Sequence, residues 1–128
     1  MSNSAIVLVG RVLLSVMFIM AGLSKLGDVA GTAAYFGSVG LPMPGILVWL
    51  VGIFEVVAGL AVLVGLMTAP AAYLLALFCL ASGFAAHMDF SDQTEMILFM
   101  KNVAIAGGFL VLAANGPGSI SIDARRGG

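Results

Sequence analysis

The composition is that of a membrane protein. Of the 128 residues, 62% are hydrophobic and 9% charged, and the net charge is −1. A soluble domain carries about 25% charged residues, so this chain would aggregate in water, and we expect a lipid bilayer around it. The small net charge argues against nucleic acid as a partner. One cysteine and one histidine exclude a disulfide within the chain and a haem held by two histidines of the chain, and no metal site is predicted.

Four apolar stretches have the length of about 20 residues that crosses a bilayer as a helix. They cover 5–26, 46–66, 69–87 and 93–115. We expect the first to be retained as a span rather than cleaved as a signal peptide, because Arg11 interrupts it and no positive segment precedes it. The sequence therefore predicts an all-α fold, an antiparallel four-helix transmembrane bundle that forms a single domain over 1–128, with a tail at 116–128.

The connections carry helix-boundary signals. The first is long enough for a short interfacial helix over 29–36. The second is very short, and Thr68 is placed to cap the third span with Pro70 in its first turn. Asp92-Gln-Thr-Glu95 resembles a capping box at the start of the fourth span. Gly116 and Pro117 end that span.

Charges in the connections predict the orientation. The side that holds both termini carries Arg125 and Arg126, whereas acidic residues prevail on the other side, at Asp28, Asp89, Asp92 and Glu95. Positive residues concentrate on the cytoplasmic side of membrane proteins. We therefore expect a multi-pass membrane protein with both termini in the cytoplasm.

Several polar residues lie at or within the spans, where charge is costly and indicates a functional site by default. Helical spacing places one polar stripe inward on each span: Arg11 to Lys25 on the first, Glu55 with two glycines on the second, Tyr73 to His87 on the third, and Lys101 to Asn115 on the fourth. The candidate ligand-binding residues are Arg11, Lys25, Glu55, His87, Lys101 and Asn102. Catalytic residues cannot be named from this pattern.

Glu55 is the acidic residue deepest in the spans, and the direction of helical side chains favours Lys101 over Arg11 as its partner. Three roles stay open for the charged residues: an ion pair that fixes packing, a polar ligand pocket, or a proton path. Burial also disfavours a charged carboxylate, so the ionisation of Glu55 stays open. Lys25 and His87 can equally be interfacial residues at helix ends, and Cys79 is expected to pack. Trp49, Tyr35 and Phe36 suit an aromatic belt.

These residues also carry a family resemblance. Arg11-Val-Leu-Leu, Ala21-Gly-Leu-Ser-Lys25 and Gly40-Leu-Pro-Met-Pro44 are similar to the opening of the DoxX family, and Glu55-x-x-x-Gly59, His87, Lys101-Asn102 and Gly116-Pro-Gly118 continue the pattern. The resemblance implies a four-helix protein of the bacterial cytoplasmic (inner) membrane, with a polar interior formed by Arg11, Lys25, Glu55, Lys101 and Asn102. Some DoxX-like proteins are described as small subunits of quinone-linked oxidoreductases, and others accompany defence against quinones, catechols or oxidative stress.

Two functions from different classes follow. In one, the chain is an accessory subunit of a larger membrane complex, and its polar seam is structural. In the other, it binds a quinone or similar lipophilic ligand near Glu55 and Lys101 as part of an oxidoreductase, with a redox partner supplying electrons. Lys101, Asn102 or Arg11 would then donate to a quinone carbonyl. No covalently bound cofactor is expected, and the chain alone cannot be a complete oxidoreductase. Whether it is part of an enzyme stays open.

Overall fold

The computed structural model describes residues 2–127. Six helices follow one another: α1 Asn3–Gly27, α2 Val29–Ser38, α3 Pro44–Val64, α4 Thr68–Ala86, α5 Gln93–Asn115 and α6 Ile122–Arg125. Of these, α1, α3, α4 and α5 are long and apolar enough to cross a membrane. The predicted all-α four-helix transmembrane bundle is therefore confirmed, together with a short helix after the first span. The cytoplasmic location of the termini stays a prediction.

Small residues bring α1 and α3 into close contact. A Cβ added at Gly22 would lie 2.7 Å from the carbonyl oxygen of Gly52, and one added at Gly59 would lie 2.9 Å from Ile19 Cγ1. Without their own side chains, these glycines let the two backbones approach, which is a main source of helix association in lipid. The contacts also fix the register, since Leu26 packs on Gly52 and Ile19 on Gly59. In this register α3 extends about seven residues, roughly 10 Å, beyond the end of α1.

The core lies in the half of the bundle nearest the termini. Phe109 on α5 is fully buried, and its ring packs edge-on against Phe18 of α1 with centroids 5.5 Å apart. Phe18 also meets Phe78 of α4. All buried residues of α5 lie in its second half, between Ala106 and Ala113. At the other end α1 stays in contact with α3 through Leu26 and Gly52, His87 after α4 contacts Glu95 of α5, and α2 packs against α3.

The segment 116–126, which we call the C-terminal clasp, fastens the terminal end of the bundle. The Asp123 carboxylate accepts the backbone N–H groups of Met67 at 2.8 Å and Thr68 at 2.9 Å, and the Asp123 N–H donates to Gly65 O at 2.8 Å. The prediction that Thr68 caps α4 is thus wrong. Met67 takes the N-cap position in a left-handed conformation with φ of 47°, and the carboxylate that satisfies the helix start comes from 55 residues away.

The predicted inward stripes are right on α1 and α3, right in part on α4, and wrong on α5. On α1, Arg11 and the next three residues of the stripe are buried and Lys25 is partly buried, and Glu55 on α3 is buried. On α4, Gly83 is buried and His87 partly buried, but Tyr73 is 55% exposed. On α5, Lys101 and Asn115 are exposed, and the buried face instead runs through Ala106 and Phe109. The aromatic-belt prediction fits the exposed Trp49 and Tyr35 but not Phe36, which is buried.

Candidate functional site

A cavity of about 450 Å³ lies between the α1–α3 pair and the α4–α5 pair, in the half of the bundle farthest from the termini. Phe18 and Phe78 of the aromatic core line the end of the cavity nearest the protein termini. Tyr35 and Phe36 of α2 line the opposite end. Ligand sites for small molecules are mainly apolar clefts of about 300–1,000 Å³ with a few polar groups. This cavity has that size and that kind of wall.

The cavity opens sideways toward the surface that faces lipid. Met17 of α1 and Ala81 and Ala85 of α4 all line it, and all three are also exposed on the outside of the bundle. α1 packs chiefly on α3, and α4 chiefly on α5, while Phe18 of α1 and Phe78 of α4 meet between the two pairs. The exposed lining residues give the cavity an open side on the surface of the bundle.

An ion pair forms one polar side of the cavity. Lys25 Nζ of α1 lies 2.7 Å from Glu55 Oε1 of α3. The Glu55 side chain is only 3% exposed, whereas that of Lys25 is 24% exposed. Within residues 2–127, Glu55 Oε1 has no further hydrogen-bond partner. Both side chains line the cavity, so a charged pair lies in an otherwise apolar wall.

A second polar group comes from α4 and α5. Asn102 Nδ2 donates to the carbonyl oxygen of Cys79 at 3.1 Å and to Ser82 Oγ at 3.2 Å. Ser82 Oγ in turn donates to the Cys79 carbonyl at 3.2 Å. These bonds tie α5 to α4 at the level of the cavity, and all three residues line it. Cys79 is itself buried in the core, in agreement with the predicted packing role.

A third polar pair lies at the end of the cavity farthest from the termini. His87, which follows α4, places Nδ1 2.8 Å from Oε2 of Glu95 in the first turn of α5. His87 lines the cavity, while both side chains keep partial exposure, 19% and 28% respectively.

The predicted capping of α5 is also present, because the Asp92 carboxylate accepts from the backbone N–H groups of Thr94 and Glu95.

The structure brings four of the six candidate residues to the cavity, namely Lys25, Glu55, His87 and Asn102. The prediction that Glu55 pairs with Lys101 is wrong: its partner is Lys25, and Lys101 is exposed on the outer face of α5. The pairing was not predicted because the depth of each residue in the membrane was counted from the end of its own helix. The offset between α1 and α3 instead brings Lys25 level with the middle of α3.

Arg11 lies at the other end of the bundle and binds backbone carbonyls. Its guanidinium donates to Val62 O at 3.0 Å and Leu63 O at 2.8 Å, at the end of α3. It also donates to Pro117 O at 2.9 Å and Ile120 O at 2.7 Å, in the C-terminal clasp. Arg11 is 1% exposed. Its role here is to join α1, α3 and the clasp, away from the cavity.

Several cavity residues were not singled out as ligand-binding from the sequence. Phe78 and Ser82 have no signal of their own within an apolar helix. Tyr35 and Phe36 belong to the short helix α2, whose position over the bundle depends on tertiary packing. Ser82 could have been found by its spacing, because it lies three residues after Cys79 and one turn before Ala86, on the same face of α4.

Comparison with known proteins places the chain in a family. The family model for DoxX matches residues 6–88. The chain belongs to the DoxX family. The match includes α1, α2, α3 and α4, and therefore every cavity residue except Asn102 of α5.

Two relatives of this DoxX-family protein come from Escherichia coli (strain K12). Inner membrane protein YqjF is 43% identical over 117 residues, covering 91% of this chain and 88% of YqjF. Inner membrane protein YphA is 36% identical over 130 residues, covering 97% of this chain and 92% of YphA. A third, from Bacillus subtilis (strain 168), carries the name "Putative oxidoreductase CatD" and is 36% identical over 67 residues, 52% of this chain and 48% of CatD. No solved structure matches.

Proposed function

We propose that this DoxX-family protein resides in the inner membrane, binds a quinone or a similar lipophilic ring in the cavity, and serves as a small subunit of a membrane redox system. The observation that carries the proposal is the cavity of about 450 Å³ with the Lys25–Glu55 ion pair in its wall. The names of the relatives agree with it, since two are called inner membrane proteins and one an oxidoreductase.

The wall of the cavity fits a ring that carries oxygen atoms. The side chains of Phe18, Phe36 and Phe78 offer apolar and aromatic surface to the ring. A lysine ammonium has three N–H groups, and one of those on Lys25 points to Glu55. The remaining donors can bind a carbonyl oxygen of the ligand, and they are worth more in a site without water than in solution. The lateral opening suits a ligand that arrives through lipid.

The same ion pair can stabilise negative charge on a ligand and exchange a proton with it. A bound quinone would accept electrons and protons. The Lys25 ammonium would stabilise negative charge that develops on the oxygen next to it, and Glu55 can hold or release a proton beside it. Because the chain has a single cysteine and a single histidine, electrons would come from a partner protein. The accessory-subunit role is thereby part of the proposal.

The test is the quinone content of the protein after mild purification in native lipid particles, measured by solvent extraction and mass spectrometry. We expect near-stoichiometric quinone in the wild type and a loss of at least tenfold in Lys25→Met, which removes the donor. Lys101→Met is the matched control, because it makes the same change on the outer face, and its quinone content should equal that of the wild type.

Folding is monitored in parallel by helix content and size-exclusion profile. If all three proteins carry only the quinone that bulk lipid carries, the proposal is wrong. If Lys101→Met loses quinone as strongly as Lys25→Met while both stay folded, then the cavity is not the binding site.

A further inference from the structure

Asn102 presents a hydrogen-bond acceptor to the cavity. An asparagine amide has two N–H donors and one carbonyl acceptor. Nδ2 donates both to Cys79 O, at 3.1 Å, and to Ser82 Oγ, at 3.2 Å. Within the described chain, 2–127, Oδ1 of Asn102 accepts no hydrogen bond from any residue. The side chain nevertheless lines the cavity, so Oδ1 is the polar atom left for a ligand.

The orientation of this amide is fixed by its surroundings. Turning it over would place Oδ1 against the carbonyl oxygen of Cys79, and two acceptors at about the present 3.1 Å would repel each other. Ser82 cannot supply a donor to the cavity instead, because its own O–H donates to the same carbonyl. The α4–α5 side of the cavity therefore offers an acceptor in Asn102, whereas the α1–α3 side offers Lys25 as a donor and Glu55 as a second acceptor.

We propose that Asn102 is a specificity-determining residue that recognises a hydroxyl group on the ligand. This inference rests on the proposed function, since it concerns the same cavity. A ring with a hydroxyl, such as a phenol or a hydroquinone, places an O–H donor against Oδ1. A quinone carbonyl or an ether oxygen in that position brings a second acceptor. The site thus prefers the hydroxyl-bearing, reduced form of its ligand.

The experiment compares two probes of nearly equal size, para-hexylphenol and its methyl ether, para-hexylanisole. Each is equilibrated by dialysis with the full-length protein in lipid nanodiscs, and the bound amount is measured by mass spectrometry relative to empty nanodiscs. We expect the wild type to bind the phenol at least about tenfold more tightly, because the ether cannot donate to Oδ1 and brings a second acceptor against it.

The variant Asn102→Leu should lose this preference and bind both probes alike. Asn115→Leu is the matched control, because Asn115 lies exposed at the end of the same helix and bonds only to its neighbour Gly116 among the described residues; it should keep the tenfold ratio. Ser82→Ala is a milder variant that frees one Nδ2 hydrogen to donate into the cavity, so its preference for the phenol should fall severalfold.

The outcomes separate the two proposals. Equal binding of phenol and ether by the wild type would overturn hydroxyl recognition and leave the proposed function standing. Retention of the tenfold preference in a folded Asn102→Leu would also overturn it. If neither probe binds above empty nanodiscs, hydroxyl recognition is wrong, and the quinone content of the purified protein decides the proposed function independently. If Asn102→Leu does not fold, hydroxyl recognition stands or falls with the wild-type ratio and its decrease in Ser82→Ala.

Discussion

Replacing Arg11 by lysine keeps the positive charge but removes the shape that lets one side chain reach two segments. The four hydrogen bonds of Arg11, 2.7–3.0 Å long, run in two directions, to the end of α3 and to the clasp. A lysine ammonium is a single point with three donors, so it can serve one of these segments only. At least two bonds would be lost.

A hydrogen bond to a charged group contributes about 1.5–3 kcal/mol. Two such bonds give a loss of about 3 kcal/mol at the lower figure, which is the appropriate one because the clasp can partly relax into the lipid–water interface. This corresponds to roughly a hundredfold shift in the unfolding equilibrium. The measurement is equilibrium unfolding in mixed micelles with increasing sodium dodecyl sulfate, followed by helical circular dichroism.

Hydrogen exchange supplies a local measurement. The amides of Met67, Thr68 and Asp123 are bonded between the clasp and the α3–α4 turn, so their protection should fall in Arg11→Lys. Arg126→Lys, at an exposed position, is the control and should change neither result. Wild-type stability together with unchanged protection of these amides in Arg11→Lys would refute the reasoning, because it would mean that the guanidinium does not hold the clasp.

Three further predictions address the clasp, the α1–α3 contact and the orientation. Hydrogen bonds from backbone N–H groups, the first of them that of Thr68, lower the pKa of Asp123 below its ordinary value, although burial acts in the opposite direction. The stabilisation by the ionised carboxylate is therefore complete above about pH 4 and is lost as the pH falls further. The difference in stability between pH 3 and pH 7, measured by detergent unfolding, should be smaller in Asp123→Asn than in the wild type. Gly22→Ala would put a Cβ 2.7 Å from a backbone oxygen of α3 and cost about 1–3 kcal/mol, whereas Gly10→Ala, with nothing within 4 Å, should be neutral in the same unfolding assay. Cysteines introduced one at a time at Ser2 and Asp89, in a chain whose buried Cys79 is replaced by alanine, should be labelled by an impermeant reagent from opposite sides of the membrane, with Ser2→Cys reacting from the cytoplasm. The reverse result would contradict the predicted orientation.

The inward face of a helix was predictable where its polar residues follow one unambiguous stripe. On α1, Arg11, Ser15, Phe18 and Gly22 are spaced by four, three and four residues, and all are buried. On α5, the polar residues Lys101 and Asn102 are adjacent, and the predicted inward stripe was drawn through Lys101. Drawing it through Asn102 gives a stripe through Ala106 and Phe109, which are buried. Adjacent positions differ by about 100° around a helix, so the choice between them decides which face turns inward.

The contacts between distant segments were not predictable, because they depend on register and on packing of the connections. The pairing of Lys25 with Glu55 requires the offset between α1 and α3, which follows from glycine contacts rather than from helix ends. The capping of α4 by Asp123 spans 55 residues. The spans themselves were predictable, since their length and apolar composition are set by the bilayer.

The two cations of α1 differ in how completely the protein satisfies their hydrogen-bond donors. The guanidinium of Arg11 has five N–H donors, and it makes four hydrogen bonds to backbone carbonyls while remaining 1% exposed. It thus has little capacity left for a ligand. Lys25 has three donors, contacts a single carboxylate, and keeps 24% of its side chain exposed. Since a charge within a membrane is costly, the incompletely satisfied Lys25 beside the cavity supports the proposal that a ligand binds there, whereas Arg11 offers no such support.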